Sequence, residues 1–193
     1  RVLDSCAAPG GKTAHMLELA ALKLTALDID NARMGRVEQN LERLGLLNDD
    51  VELIAESAMR AHTWWDGKPF DAVLADVPCT ASGIVRRHPD IPLLRRESDL
   101  PALVKEQRRL LDALWPLLAP GGRMVYCTCS VFRDEGQYQI DSFLARNTQA
   151  QLRPSPGHLM PGSAANAAGL LDNAASSFDG FFYAVLEQRN ADV

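Results

Sequence analysis

The chain has 193 residues and a formal net charge of −5, with 47% hydrophobic and 23% charged residues. This length and composition predict one globular domain, and no apolar run reaches the ~20 residues that a membrane-spanning helix needs. Four cysteines without regular spacing argue against a disulfide scaffold and favour a reducing, cytoplasmic compartment. We expect a monomer, and we read the apolar start of the chain as the point where an N-terminal part is missing.

Short apolar runs alternate with segments of helical spacing along the chain. We predict strands at 2–3, 24–27, 51–55, 70–75, 124–127 and 181–186. Between them we predict helices at 12–21, from Asp30 or Asn31 to Gly45, and at 134–146. A further helix is predicted from Ser98 or Asp99 to Pro120-Gly121-Gly122, with a kink at Pro116. This alternation predicts an α/β fold with a mostly parallel, doubly wound sheet.

The segment Pro154–Asp179 is rich in small and polar residues and lacks a clear period. We therefore predict a long loop there. The strand that follows it would close the sheet.

The end of the first strand carries a glycine turn, and the end of the second carries a carboxylate. Gly10 and Gly11 allow a tight turn and close approach of a ligand, and Asp28 can accept both hydroxyls of a ribose. The spacing matches neither a dinucleotide fingerprint nor a phosphate loop, so a nucleoside without a pyrophosphate fits best, and S-adenosylmethionine is the obvious candidate. The alternative is a plain turn with Asp28 as a helix cap, although Asp30 is better placed for capping.

Two cysteines follow the ends of later strands. Cys79 comes after Asp76 and Pro78, and Cys129 lies between two hydroxyl side chains. Thiolates are strong nucleophiles near neutral pH, so these positions favour covalent catalysis. Cys6 and Cys127 fit buried, structural thiols, and the absence of a Cys-x2-Cys motif argues against a metal site.

Residues 86–109 contain seven Lys or Arg against four Asp or Glu. Such a basic segment on an acidic body can hold an RNA backbone, and Arg86, Arg87 and His88 are the candidate RNA contacts. The alternative, which we weigh equally, is a surface loop whose arginines pair with Asp90.

Several motifs together resemble the RNA cytosine-C5 methyltransferases, in particular the bacterial enzymes that act on 16S ribosomal RNA. These motifs are Asp4-Ser5-Cys6-Ala7-Ala8-Pro9-Gly10-Gly11-Lys12-Thr13, Asp76-Val77-Pro78-Cys79, Gly83-Ile84-Val85-Arg86-Arg87-His88-Pro89-Asp90, Thr128-Cys129-Ser130 and Asp179-Gly180-Phe181-Phe182-Tyr183-Ala184. The similarity covers nearly the whole chain, and the ordered set is specific.

The resemblance implies one catalytic domain over 1–193 with a Rossmann-like, seven-stranded methyltransferase sheet whose last strand is antiparallel, and a missing N-terminal RNA-binding region. It implies that Cys129 is the nucleophile, that Cys79 assists product release, and that Asp76 lies between cofactor and base. It assigns to S-adenosylmethionine the residues Cys6, Ala7, Ala8, Pro9, Gly10, Gly11, Lys12 and Asp28.

One position departs from the family pattern. The family usually carries an Asp near the adenine after the third strand, whereas this chain has Ser57 there with Glu56 beside it. Either residue can contact the adenine. Three other functions stay open: methylation of transfer RNA, a non-catalytic RNA-binding assembly module, and a nicotinamide-dependent oxidoreductase, which the lack of a third glycine disfavours.

Overall fold

A computed structural model of the chain describes residues 1–161 and 179–190. Seven strands form one sheet in the order β3-β2-β1-β4-β5-β7-β6. They are β1 (Val2–Asp4), β2 (Leu24–Asp28), β3 (Val51–Ala55), β4 (Phe70–Asp76), β5 (Leu118–Thr128), β6 (Ala150–Leu159) and β7 (Phe181–Gln188). Neighbours from β3 to β5 pair in parallel, and β7 runs antiparallel to both β5 and β6. The predicted, mostly parallel sheet with an antiparallel last strand is confirmed.

Six α-helices within the described residues lie between the strands. They are α1 (Gly11–Leu19), α2 (Asn31–Leu44), α3 (Ala61–Trp64), α4 (Ile91–Leu94), α5 (Asp99–Leu114) and α6 (Gln137–Arg146). Two separate clusters of buried apolar side chains follow from this arrangement. One joins α1 and α2 to β2, and the other joins α5 and α6 to β4, β5 and β7.

Helix α2 shows how local sequence sets the ends of an element. The Asp30 carboxylate accepts hydrogen bonds from two N–H groups of the first turn, at 2.8 and 3.1 Å. Gly45 ends the helix at φ 68°, a left-handed conformation that glycine adopts without a steric cost. Both caps agree with the predicted start and end of this helix.

Several boundaries differ from the prediction in the first two thirds of the chain. Strands β1, β2 and β4 each end one residue later than predicted. Helix α1 begins one residue earlier, at Gly11, and ends two residues earlier, at Leu19. Helix α5 ends at Leu114, and Pro116 lies in a separate 3-10 turn, since its ring cannot continue the α-helical hydrogen bonds. The Pro120-Gly121-Gly122 segment therefore does not end the helix but belongs to β5. The short helices α3 and α4 were not predicted.

Two further differences concern the end of the chain. The predicted helix at 134–146 is a 3-10 turn (Arg133–Glu135) followed by α6, with Gly136 between them. The predicted loop from Pro154 is wrong up to residue 159, where β6 pairs with β7. Prolines are tolerated in β6 because it is an edge strand with one neighbour. The part of the predicted loop at 162–178 lies outside the described residues.

No helix among the described residues is long and apolar enough to cross a membrane.

Candidate active site

The carboxyl ends of β1, β2, β4 and β5 open on one crevice of about 270 Å³. Ligands of open α/β sheets bind in this position. The residues that line the crevice are Ser5, Cys6, Ala8, Asp28, Ile29, Arg33, Ser57, Ala58, Met59, Asp76, Val77, Pro78, Cys79, Glu106, Leu110 and Cys129. The structure thus brings both candidate thiols, Asp28 and Asp76 into one space, as the strand ends predicted.

The loop after β1 divides into residues that face the crevice and residues that support it. Cys6 and Ala8 line the crevice, and burial raises the pKa of the Cys6 thiol to about 12. Ala7 is buried, and its N–H donates to the carbonyl oxygen of Leu27. Cys6 therefore stays a neutral thiol near neutral pH.

The next three residues, Pro9, Gly10 and Gly11, do not line the crevice. The Pro9 carbonyl accepts a hydrogen bond from Asn40. Gly10 has φ 98°, and a Cβ there would lie 3.1 Å from Val37. The turn and the packing against α2 thus explain why residue 10 is a glycine. At Gly11, by contrast, no atom lies within 4 Å of a Cβ built there.

Asp28 is buried at the end of β2, with 4% of its surface exposed. Its carboxylate accepts hydrogen bonds from the N–H of Ala8 at 3.2 Å and the N–H of Asp30 at 3.1 Å. Arg33 lies 3.5 Å away and forms an ion pair with it. These contacts fix a negative charge on the crevice wall, while Asp30 takes the helix cap.

Of the two candidates after β3, the structure places Ser57 on the crevice. Glu56 instead accepts hydrogen bonds from the Ser57 N–H at 2.6 Å and from Arg60. Those contacts lower the pKa of the Glu56 carboxyl, the Ser57 N–H contributing most. Glu56 is thus occupied with its neighbours. The Ser57 oxygen accepts a hydrogen bond from the Met59 N–H at 3.3 Å, and its hydroxyl can still donate one to a ligand.

The sulfur atoms of Cys79 and Cys129 lie 3.4 Å apart, close enough for a hydrogen bond between them. This hydrogen bond is the main reason why the pKa of Cys129 is lowered, although burial opposes it. The same bond, followed by burial, raises the pKa of Cys79 far above its usual range. These opposite directions favour Cys129 over Cys79 as the thiol that ionises first.

Asp76 lies at the end of β4 between a cation and a thiol. Its Oδ2 accepts a hydrogen bond from the Lys12 ammonium at 2.5 Å, and its Oδ1 lies 3.4 Å from the sulfur of Cys127. Burial lowers the pKa of Lys12, but the carboxylate of Asp76 outweighs it and the net change is upward. Lys12 thus acts on the crevice through its ion pair with Asp76. Cys127 is buried as predicted, but it has a polar partner in Asp76.

Arg86 and Arg87 lie outside the crevice and pair with Asp179, at 3.5 and 2.5 Å. The alternative prediction of pairing with Asp90 is wrong, because the loop folds back on the segment before β7. The N–H of Gly180 donates to the carbonyl oxygen of Gly83 at 2.8 Å and fixes this contact. Both arginine side chains, like the neighbouring His88, stay exposed to solvent.

Three residues that support the Cys79 segment were not identified from sequence. Arg95 donates to the carbonyl oxygens of Cys79 and Thr80, at 3.3 and 2.9 Å. Gln107 donates to the Pro78 carbonyl, and Glu135 accepts from Thr80. No sequence signal marked them, since each is distant in the chain from the cysteine.

No group of three or more His, Cys, Asp or Glu within residues 1–161 and 179–190 is arranged to hold a metal ion. The expected lack of a metal site stays a prediction.

The chain is similar in sequence to known methyltransferases of ribosomal RNA. Residues 1–187 match the model of a family described as 16S rRNA methyltransferase RsmB/F. The ribosomal RNA small subunit methyltransferase B of Xanthomonas campestris pv. campestris is 49% identical over 187 residues, which are 96% of this chain and 42% of that protein. Its counterpart in Vibrio vulnificus is 45% identical over 97% of this chain and 42% of that protein.

A solved structure agrees with these sequence matches. NSun6 from Pyrococcus horikoshii, solved with SFG, is 28% identical, with a TM-score of 0.79 over 98% of this chain and 48% of that chain. The chain thus spans about two fifths of the length of the sequence relatives given above and about half of this structure.

Proposed function

The chain belongs to the RsmB/F family of 16S rRNA methyltransferases, and we propose that it transfers a methyl group from S-adenosylmethionine to C5 of a cytosine in RNA. The substrate that the family description favours is 16S ribosomal RNA, and the relatives' names point to ribosomal RNA of the small subunit. The observation that carries the proposal is the pair of thiols on the crevice, whose sulfur atoms lie 3.4 Å apart. We expect the protein to act in the cytoplasm as a monomer.

The crevice fits the nucleoside of S-adenosylmethionine. The Asp28 carboxylate suits the two ribose hydroxyls, and Ile29 and Met59 offer apolar surface to the adenine beside the Ser57 hydroxyl. Cys6 and Ala8 would line the other side, while Ala7, Pro9, Gly10, Gly11 and Lys12 support the loop. When bound, S-adenosylmethionine supplies an electrophilic methyl group on a sulfonium.

Cytosine C5 is a poor nucleophile, so the Cys129 thiolate acts first. Its electron pair would form a bond to C6 of the ring, which makes the C5–C6 π pair available at C5. That pair would form the new bond to the methyl carbon, while the bond from this carbon to the sulfonium breaks and its electrons stay on the sulfur. The Asp76 side chain would contact N3 and the exocyclic amine, and a proton shared between a carboxyl oxygen and N3 would stabilise the negative charge that develops on the ring. The Lys12 ion pair holds that carboxyl group in place.

Release requires loss of the C5 proton and of the thiolate. The C5–H electron pair re-forms the C5–C6 double bond, and the C6–S pair returns to Cys129. Cys79 serves this stage. Its pKa is raised chiefly by the hydrogen bond with Cys129, and that effect disappears once the Cys129 sulfur is bonded to carbon. Cys79 can then lose its proton to solvent, and its thiolate takes the proton from C5.

RNA must present the cytosine out of its stack to reach the crevice. Arg86, Arg87 and His88 are exposed beside the loop that follows Cys79, and we propose that they contact the RNA backbone. Because both arginines share Asp179, the binding of phosphate would compete with that ion pair.

The function is tested by mapping 5-methylcytosine in ribosomal and transfer RNA from a strain that lacks the gene. We expect one cytosine of 16S rRNA to lose its methyl group and to regain it when the wild-type gene is restored. Loss at a transfer RNA site would instead assign a tRNA substrate. An unchanged pattern in both RNA classes would contradict the proposal.

Replacement Asp28→Asn tests the cofactor site. The amide keeps the size of the side chain but removes the charge that strengthens hydrogen bonds to the ribose. We expect the affinity for S-adenosylmethionine, measured by calorimetry, to fall about tenfold to a hundredfold, since hydrogen bonds to charged groups contribute about 1.5–3 kcal/mol. The matched control is Asp30→Asn, which keeps a good helix cap. Equal affinities in both variants would place the ribose elsewhere.

A further inference from the structure

Glu135 is a carboxylate with no exposed surface, located in the 3-10 turn between β5 and α6. Within the described parts of the chain it takes part in no ion pair. A buried charge without a counterion is costly unless several hydrogen bonds compensate for it. The reaction described above does not use this group.

All of the hydrogen bonds to this carboxylate come from residues that hold the Cys79 segment. Oε1 accepts from the Thr80 N–H at 2.8 Å and from the Gln107 amide at 3.0 Å, and Oε2 accepts from the Thr80 hydroxyl at 2.5 Å. The same Gln107 amide donates to the Pro78 carbonyl at 2.9 Å. The residues on both sides of Cys79 are therefore fixed to one buried carboxylate.

The segment that carries Cys129 is connected to the same group of hydrogen bonds. The Ser130 hydroxyl lies 3.4 Å from the Thr80 hydroxyl and 3.0 Å from that of Ser82. The N–H of Gly83 donates to the carbonyl oxygen of Cys129 at 2.9 Å. A shift of Thr80 would thus change the position of one thiol relative to the other.

We propose that Glu135 is a positioning residue that, through Thr80 and Gln107, holds the sulfur of Cys79 at hydrogen-bond distance from the sulfur of Cys129. The proposal rests on the proposed function for the roles of the two thiols. It adds that the carboxylate beneath the site sets which thiol is the nucleophile.

The electrostatic effect of Glu135 acts in the same direction as its geometric effect. The hydrogen bond with Cys129, burial and the charge of Cys129 raise the pKa of Cys79 most, and the negative charge of Glu135 adds to this rise. The charge of Glu135 therefore favours the protonated form of Cys79. The charged and titratable groups that face the two thiols are Lys12, Asp76, Arg95, Tyr126, Glu135 and Tyr183.

Replacement Glu135→Gln removes the charge and turns one acceptor into a donor. We expect the pH midpoint for alkylation of Cys129 by iodoacetamide, followed by peptide mass spectrometry, to rise by about one unit. Alkylation below the midpoint would then slow about tenfold. In methylation assays we expect kcat to fall by a similar factor, with KM for RNA changed less than about twofold.

Thr80→Val is the second variant, because it removes only the hydroxyl and keeps the Thr80 N–H. We expect a smaller shift of the midpoint in the same direction. The control is Phe143→Leu, which loosens the buried core under α6 and so tests the effect of lost stability alone. Its alkylation midpoint should equal that of the wild-type protein.

Alkylation needs no RNA, so this test is independent of the methylation assay. An unchanged midpoint in Thr80→Val and, where it folds, in Glu135→Gln would overturn the proposal and leave Glu135 as a core group only. Wild-type protein that fails to methylate any RNA would instead overturn the proposed function, whatever the alkylation results.

Discussion

Replacement Cys129→Ala is expected to abolish methylation of RNA while S-adenosylmethionine still binds with wild-type affinity. Without the thiolate, C5 cannot gain the electron density that methyl transfer needs. We expect a loss of at least about 10³-fold in kcat, in line with the removal of other catalytic nucleophiles. Methyl transfer is measured with labelled cofactor, and cofactor binding by calorimetry.

The matched control is Cys127→Ala, which removes a thiol two residues earlier in β5. That thiol is buried and does not line the crevice, and burial is the main cause that raises its pKa, so we do not expect it to act as the nucleophile. We expect Cys127→Ala to keep most of the methylation activity. Full turnover by Cys129→Ala would show that the nucleophile is another group.

Replacement Cys79→Ala is expected to leave the attack possible but to stall product release. The protein should then accumulate as a covalent complex with RNA, visible as a slowly migrating band in a denaturing gel. Wild-type protein should show little of this band, because Cys79 completes the elimination. Loss of the Cys79 hydrogen bond also raises the pKa of Cys129, so adduct formation should be slower at neutral pH than in the wild type.

The double variant Cys79→Ala with Cys129→Ala provides the control for this experiment. It should give no band, because it lacks the group that forms the bond to C6. A Cys79→Ala protein that turns over normally without any adduct would remove Cys79 from the release step.

Much of the fold could be predicted because local sequence determines it. Asp30 and Gly45 cap α2 at the expected places, and the apolar runs of β1, β2, β4 and β5 lie in the sheet. The strand β6 was missed because it is an edge strand with prolines and half-exposed side chains, and only its pairing with β7 makes it a strand. Such pairing depends on residues far away in the chain.

The sequence predicts those site residues that directly follow the ends of strands. It does not predict the contacts between residues that are far apart in the chain. Cys79 and Cys129 were expected to converge, and their sulfurs lie 3.4 Å apart. Arg86 and Arg87 pair with Asp179, which is more than 90 positions away in the chain. The alternative of pairing with the nearby Asp90 was therefore wrong.

The contact of Glu135 with the Cys79 segment was not predicted, for a different reason. Sequence periodicity placed it inside one continuous helix, whereas a 3-10 turn and Gly136 separate it from α6. A Cβ at position 136 would lie 2.5 Å from the His158 ring, so glycine allows β6 to approach. That break turns the Glu135 side chain inward toward Thr80 and Gln107.

The most direct test of the account is to trap the reaction with RNA that carries 5-fluorocytosine, in the presence of S-adenosylmethionine. Fluorine at C5 cannot be removed as a proton is, so the covalent complex should persist. Peptide mass spectrometry then identifies the modified residue. We predict a methylated nucleotide attached to the peptide that contains Cys129; attachment to Cys79, or no attachment with wild-type protein that methylates ordinary RNA, would contradict the account.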